Sequence, residues 1–171
     1  MILLGLGSNL GDRLSHLSRA LRLLSETMAI TRVSSVYASP AMLPPDAPES
    51  WDMPYLNLVI AGETKQEPRA LLHRCAEIEA ALGRAAKHPA WSPRTVDIDM
   101  LAYHDMVMND PALTLPHPGI SERAFVLQPL AEILPAWCYP GTNNTASVLL
   151  KQLTAHGTPP AIRTDSRLAF K

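Results

Sequence analysis

Cysteine is nearly absent from this chain. Cys75 and Cys138 are the only two, far apart and forming no CxxC pair. That excludes a disulfide framework and argues against a structural zinc site. Excess charge of one sign is also missing. A formal net charge of −1 offers no bulk attraction for nucleic acid or an anionic membrane, so neither is expected as a partner. No apolar run approaches the roughly 20 residues of a membrane-spanning helix. Aromatic residues are only 5% of the chain, and strand aromatics with basic neighbours, the mark of an RNA-binding sheet, do not occur. The opening Met1-Ile2-Leu3-Leu4-Gly5 shows no basic leader or cleavage site, so a cytoplasmic location is expected.

What is present suits one globular domain. The 171 residues are 47% hydrophobic and 18% charged, enough for a sizeable core. Sixteen prolines divide the chain into short elements. Residues 1–6 read as a buried strand that ends in the turn Gly5-Leu6-Gly7-Ser8-Asn9. Leu14, Leu17, Leu21, Leu24 and Met28 then trace one stripe of an amphipathic helix. Ile30–Ser39 and Tyr55–Glu63 read as strands, separated by a proline-rich loop over 43–54 of the kind that often forms a lid. A second helix carries Leu71, Cys75, Ile78 and Leu82 and stops at Gly83. A basic loop spans 84–94, a further strand Thr95–Tyr103, and helices are expected at 122–133 and 144–156. The order β-α-β-β-α-β predicts an α+β fold of ferredoxin-like type, an antiparallel sheet with two helices on one face and C-terminal helical additions. One domain over 1–156 and a loosely attached tail over 157–171 are expected.

The chemistry concentrates in Trp91-Ser92-Pro93-Arg94-Thr95-Val96-Asp97-Ile98-Asp99-Met100. On a strand, Asp97 and Asp99 project to the same side about 7 Å apart, while Ile98, Met100 and Ala102 point to the other. Two like charges placed so repel, and folding does not reward them. A divalent cation would offset the repulsion, and carboxylates with open water positions suit Mg²⁺. A bare D-x-D is as readily an exposed polar edge. Arg84, Lys87, His88 and Arg94 in the preceding loop shift the balance, because acidic and basic groups meet this way around a metal–polyphosphate complex. His117, bracketed by Pro116 and Pro118, and Arg123 extend the set. Tyr55 and Asn57 share one strand face and offer a planar heterocycle a stacking surface and an amide to read its edge. Phe125 can close the opposite side. Glu79, inside an apolar helical stripe, needs a partner, and a structural hydrogen bond is the expected one. Gly5-Leu6-Gly7-Ser8-Asn9-Leu10-Gly11 fails the dinucleotide fingerprint, since Leu10 stands where the third glycine belongs. Gly7-Ser8-Asn9 is read instead as a turn capping the first helix.

Together, Gly7-Ser8-Asn9-Leu10, Val33-Ser34-Ser35-Val36-Tyr37, Tyr55-Leu56-Asn57, Gly83-Arg84, the Trp91–Asp99 block and Pro116-His117 with Arg123 and Phe125 resemble the 6-hydroxymethyl-7,8-dihydropterin pyrophosphokinases of folate synthesis. The resemblance spans roughly residues 2–140. It implies transfer of the β,γ-diphosphate of ATP to the pterin alcohol, with AMP leaving, by a monomer acting on small molecules. Two Mg²⁺ ions would sit on Asp97 and Asp99. The pterin would lie between Tyr55 and Phe125, with Asn57, backbone of Ser39, Pro40 and Met42, and Trp91 around it. Arg84, Lys87, Arg94, His117 and Arg123 would meet phosphate, with Arg84 and Arg94 acting in catalysis. Leu72, Met100, Ala112 and Thr114 would line the adenine. Ala86 and Ala90 stand where relatives often carry arginines, and Pro118 where a tyrosine often follows the histidine, which implies a thinner phosphate clamp. A D-x-D nucleotidyl or sugar-nucleotide transferase would share the metal pair and basic loop, but gives no reason for Tyr55, Asn57 and Phe125.

Overall fold

The computed structural model describes residues 1–85 and 89–169. Its first strand, β1 (Ile2–Ser8), is an interior strand of the sheet and is buried along almost its whole length. Such a strand reads as a near-continuous apolar run, because both faces are covered. The strand carries on through Gly5 and Gly7, where a turn is expected from the sequence. The cap of the first helix is correspondingly later: Asp12 precedes α1 (Arg13–Ser25) and its side chain accepts a hydrogen bond from Ser15 N–H at 3.1 Å. Gly7-Ser8-Asn9 therefore caps nothing.

The expected strand over 30–39 is two, β2 (Ala29–Val33) and β3 (Tyr37–Ser39), both antiparallel to β4 (Tyr55–Glu63). Ser34 sits at the break. Its Oγ accepts from Val59 N–H at 3.0 Å, and its own N–H donates to Val59 C=O at 3.0 Å. A side chain thus stands in for the missing ladder acceptor. After α2 (Pro68–Ala81) comes β5 (Asp97–Tyr103), which pairs antiparallel with β1. The order across the sheet is β5-β1-β4-β3-β8, where β8 is Ile162–Arg163, with β2 also on β4. A hairpin of β6 (Met108–Asp110) and β7 (Leu113–Leu115) follows β5 and has no counterpart in the sequence reading. The chain then enters α3 (Ala124–Ile133) and α4 (Ala146–Ala155).

Side-chain alternation divides the sheet into two cores. On one face Leu4, Leu6, Leu58, Ile60, Ile98 and Met100 meet Leu17, Leu21 and Leu24 of α1 and Leu71, Cys75 and Ile78 of α2. On the other, Leu3, Val59, Ala61, Leu101 and Ala102 meet Val126, Leu127 and Leu130 of α3 and Leu149 of α4. The register of β1 on β5 slips between Leu3 and Leu4. This bulge turns Leu101 and Ala102 into the same core, so Ala102 leaves the layer of Ile98 and Met100 in which strict alternation puts it. The tail beyond Gly157 carries β8 (Ile162–Arg163), which pairs with β3. Thr164 N–H donates to Val36 C=O at 2.9 Å, and Ala169 N–H to Ser18 Oγ at 3.1 Å.

Candidate active site

Three dipeptide-spaced pairs come into register on the face that α3 and α4 only partly cover. Gly7 of β1 lies between Asn57 of β4 and Asp97 of β5, and Gly5 lies between Val59 and Asp99. The middle strand contributes no side chain in either row, so a trough opens between two rows of functional groups. A Cβ on Gly7 would stand 3.1 Å from Asn57 Oδ1 and 3.4 Å from the Tyr55 ring. The cavity above measures ≈ 390 Å³.

One wall is built for a flat polar ligand. Asn57 is 6% exposed, and its Nδ2 donates to Ser39 Oγ at 3.0 Å. That bond fixes the amide, which turns Oδ1 over Gly7. Tyr55 lies beside it on the same strand face, with Ser39, Pro40 and Met42 at the rim. Burial pushes the Tyr55 hydroxyl up, against the opposing pull of Arg94. Phe125 at the start of α3 faces the trough, with the Arg123 guanidinium 6.0 Å from its ring centre.

The opposite wall is ionic. Arg84 Nη1 donates to Asp97 Oδ1 at 2.6 Å and also to Glu79 Oε1, while Arg94 Nη1 lies 3.2 Å from Asp97 Oδ2. Burial alone would lower the Arg94 guanidinium, but the Asp97 carboxylate and the Tyr55 hydroxyl outweigh it and hold it up. Glu79 has the structural partner expected for it: Oε1 accepts from Ile98 N–H at 2.7 Å. Since β5 ends the sheet, this carboxylate caps an outward-facing amide between the two aspartates. Burial raises the Glu79 carboxyl, opposed by that amide and by Arg84.

Asp99 is in a different state. Burial pushes its carboxyl up and the charge on Asp97 adds to this, against His117, Arg123 and Arg84. A buried anion beside a second anion is the environment that a divalent cation relieves, so the donor set fits Mg²⁺. His117 N–H donates to Leu101 C=O at 2.8 Å, which ties the residue to β5, and its Nδ1 accepts from Gly119 N–H at 2.9 Å. The other ring nitrogen remains for the cavity. Burial lowers this imidazole, opposed by Asp99. Gly119 also makes room for Arg123, whose Nε lies 2.7 Å from where a Cβ would be.

Of the residues singled out in sequence, Ser39, Pro40, Met42, Tyr55, Asn57, Arg84, Trp91, Arg94, Asp97, Asp99, His117, Arg123 and Phe125 line this one cavity. Trp91 is 47% exposed and sits at φ 68° at its mouth. Leu72, Met100, Ala112 and Thr114 do not line it. Leu72 and Met100 join the α1–α2 core, Ala112 is exposed, and Thr114 is half-buried on β7. Lys87 and His88 lie outside the described residues. Sequence reasoning missed the role of Gly5 and Gly7 as a floor, although the signal was present. Gly5-Leu6-Gly7 has the same alternation as Asp97-Ile98-Asp99, so its two glycines share one face of the strand.

The family profile of 7,8-dihydro-6-hydroxymethylpterin-pyrophosphokinase (HPPK) matches residues 3–135. A 2-amino-4-hydroxy-6-hydroxymethyldihydropteridine pyrophosphokinase of Methylorubrum extorquens is 45% identical over 134 residues, 77% of this chain and 81% of that protein. One of the same name from Aquifex aeolicus is 36% identical over 143 residues, 81% of this chain and 83% of that protein. A folate synthesis bifunctional protein of Chlamydia caviae is 39% identical over 135 residues, 78% of this chain but 30% of that protein. In fold, the chain is similar to a crystal structure of wild-type Plasmodium falciparum HPPK-DHPS with pteroate. The TM-score is 0.71 at 14% identity, over 91% of this chain and 44% of that one.

Proposed function

The chain belongs to the 7,8-dihydro-6-hydroxymethylpterin-pyrophosphokinase family, and from that premise we propose how its trough carries out the transfer of diphosphate from ATP to the pterin alcohol. The pterin ring stacks between Tyr55 and Phe125, with Asn57 reading its polar edge. Backbone of Ser39, Pro40 and Met42 completes the slot, and Trp91 closes its mouth. This directs the hydroxymethyl group along the Gly5–Gly7 floor toward the aspartates. Asp97 and Asp99 are the residues that would hold two Mg²⁺ ions. When bound, such ions neutralise charge on the polyphosphate and set its middle phosphorus for attack.

The remaining work belongs to the chain. Arg84 and Arg94, beside Asp97, are the guanidinium groups that would meet the phosphates. His117, Arg123 and Lys87 complete the clamp. Charge grows on both flanking phosphates as the diphosphate moves, and guanidinium groups in a half-buried site stabilise it more than water does. Positioning supplies much of the rest, since both substrates lie against one rigid sheet. We assign the adenine to the outer side of β5, toward Ala112 and Thr114, with Leu72 and Met100 as apolar backing. The activity is ascribed to residues 1–156 acting as a monomer. The strand order and the placement of α1 and α2 on one face support a ferredoxin-like plan for this unit.

The observation that carries the reading is the register: Asn57, Gly7 and Asp97 in one row, Val59, Gly5 and Asp99 in the next. The test is incubation with Mg·ATP and 6-hydroxymethyl-7,8-dihydropterin, following nucleotide products by chromatography. AMP formed in step with pterin diphosphate is expected. ADP as the product, or turnover indifferent to the pterin, would overturn it.

A further inference from the structure

Asn9 lies where the two loops flanking the trough come together. It is 1% exposed, and both ends of its amide are engaged. Oδ1 accepts from Arg94 N–H at 2.8 Å, and Nδ2 donates to Met53 C=O at 3.3 Å. Its backbone N–H donates to Arg94 C=O at 3.2 Å. Arg13, on the first turn of α1, adds a parallel tie by donating from Nη1 to Pro54 C=O at 2.7 Å. Arg94 ends one loop and reaches Asp97, whereas Met53 and Pro54 end the other and lead directly into Tyr55.

None of these bonds serves a helix end, since Asp12 caps α1. A buried amide with donor and acceptor spent on two different loops fixes their relative placement, because losing either bond leaves a desolvated group without a partner. We propose that Asn9 is a positioning residue that sets both half-sites at once: the Arg94 arm through its acceptor and the Tyr55 slot through its donor. The inference rests on Arg94 meeting phosphate and Tyr55 meeting the pterin. It adds that the two halves are aligned by one side chain outside the cavity, and that its two arms can be cut separately.

Asn9→Asp keeps an acceptor for Arg94 N–H and replaces the donor to Met53 with an oxygen. Its pterin KM should rise about tenfold while the ATP KM stays within about twofold. Asn9→Ala cuts both arms and should raise both KM values and lower kcat. Arg13→Ala removes only the tie to Pro54 and leaves the buried amide in place, so it reports even if an Asn9 variant folds poorly. Its pterin KM should rise about threefold, with ATP unaffected. Equal effects of Asn9→Asp on both substrates, or an Asn9→Ala that lowers the melting temperature without moving either KM, would overturn the proposal, as would Arg13→Ala without a pterin effect. Tyr55→Ala and Arg94→Ala separate the premises. If these fail to act on pterin and ATP respectively, the site assignment is at fault. If they act and Asn9→Asp does not discriminate, only the role of Asn9 falls.

Discussion

The two faces of the sheet use the same strands for opposite purposes. Leu4 and Leu6, Leu58 and Ile60, Ile98 and Met100 look one way and are sealed beneath α1 and α2. Gly5 and Gly7, Tyr55 and Asn57, Asp97 and Asp99 look the other way and line a cavity. One face is close-packed apolar surface and supplies stability. The other carries a second apolar core beneath α3 and α4 and, beyond it, the cavity with its charge, glycine floor and ring surface. Along the stretch that borders the cavity, consecutive residues therefore belong to different tasks, and a substitution's parity there decides which property it damages.

The largest expected contrast sets the two faces against each other. Asp97→Ala and Asp99→Ala should each lower kcat by more than about a hundredfold, because on the proposed reading a metal carboxylate is lost while the core is untouched. Leu21→Ala should instead cost about 2–5 kcal/mol of stability and leave KM values close to the parent's. Steady-state kinetics with denaturant titration checks both, and a Leu21→Ala enzyme that is stable but inactive would break the division. The sign for Asp99 sharpens it further. A carboxyl pushed above its unfolded value is tolerated better at acid pH, and its charge costs stability as pH rises through the folded value. In metal-free buffer near pH 7, Asp99→Asn should melt no lower than the parent, although the proposed metal role expects its activity to be lost.

A smaller effect is expected at the floor. Gly7→Ala places a methyl 3.1 Å from Asn57 Oδ1 and against Tyr55. Pterin affinity measured by calorimetry should fall about tenfold, with nucleotide affinity retained. Equal losses for both ligands would mean that the floor does not belong to the pterin half. The smallest effect concerns thiols. Cys75, 2% exposed in the α1–α2 core, has a thiol pushed up to about 12 by burial, then by Glu79 and Asp99. Cys138 is exposed. A maleimide at pH 7.5 should label one thiol in the native protein and both in urea. Two labels without denaturant would show the sealed face to be open.

Much of this division was legible in the sequence, because strand and helix periodicities are local. The pairing of Asp97 with Asp99 and of Tyr55 with Asn57 follows from a backbone that alternates every residue, and the stripes of α1 and α2 from one that turns every 3.6. The bulge at Leu101 and the break at Ser34 were not legible, since each depends on a neighbour distant in sequence, and the strands of the local β6–β7 hairpin, three residues each, are too short to show a period. Leu72, Met100, Ala112 and Thr114, named together from resemblance, occupy the core, the surface and a hairpin strand outside the trough, and only the tertiary structure shows that placement.

By itself the sequence determined which side chains share a face, where acid, base and aromatic groups concentrate, and that no charge excess or cysteine framework competes with that reading. Tertiary structure alone decided that β1 lies between β4 and β5, so that two glycines become a floor rather than a turn. It also decided that Asn9 faces two loops that lie 44 and 85 residues further along the chain. Alternation is imposed by the geometry of each residue's own backbone. Strand order and loop contact arise only when the whole chain buries its apolar surface, and no local pattern encodes that.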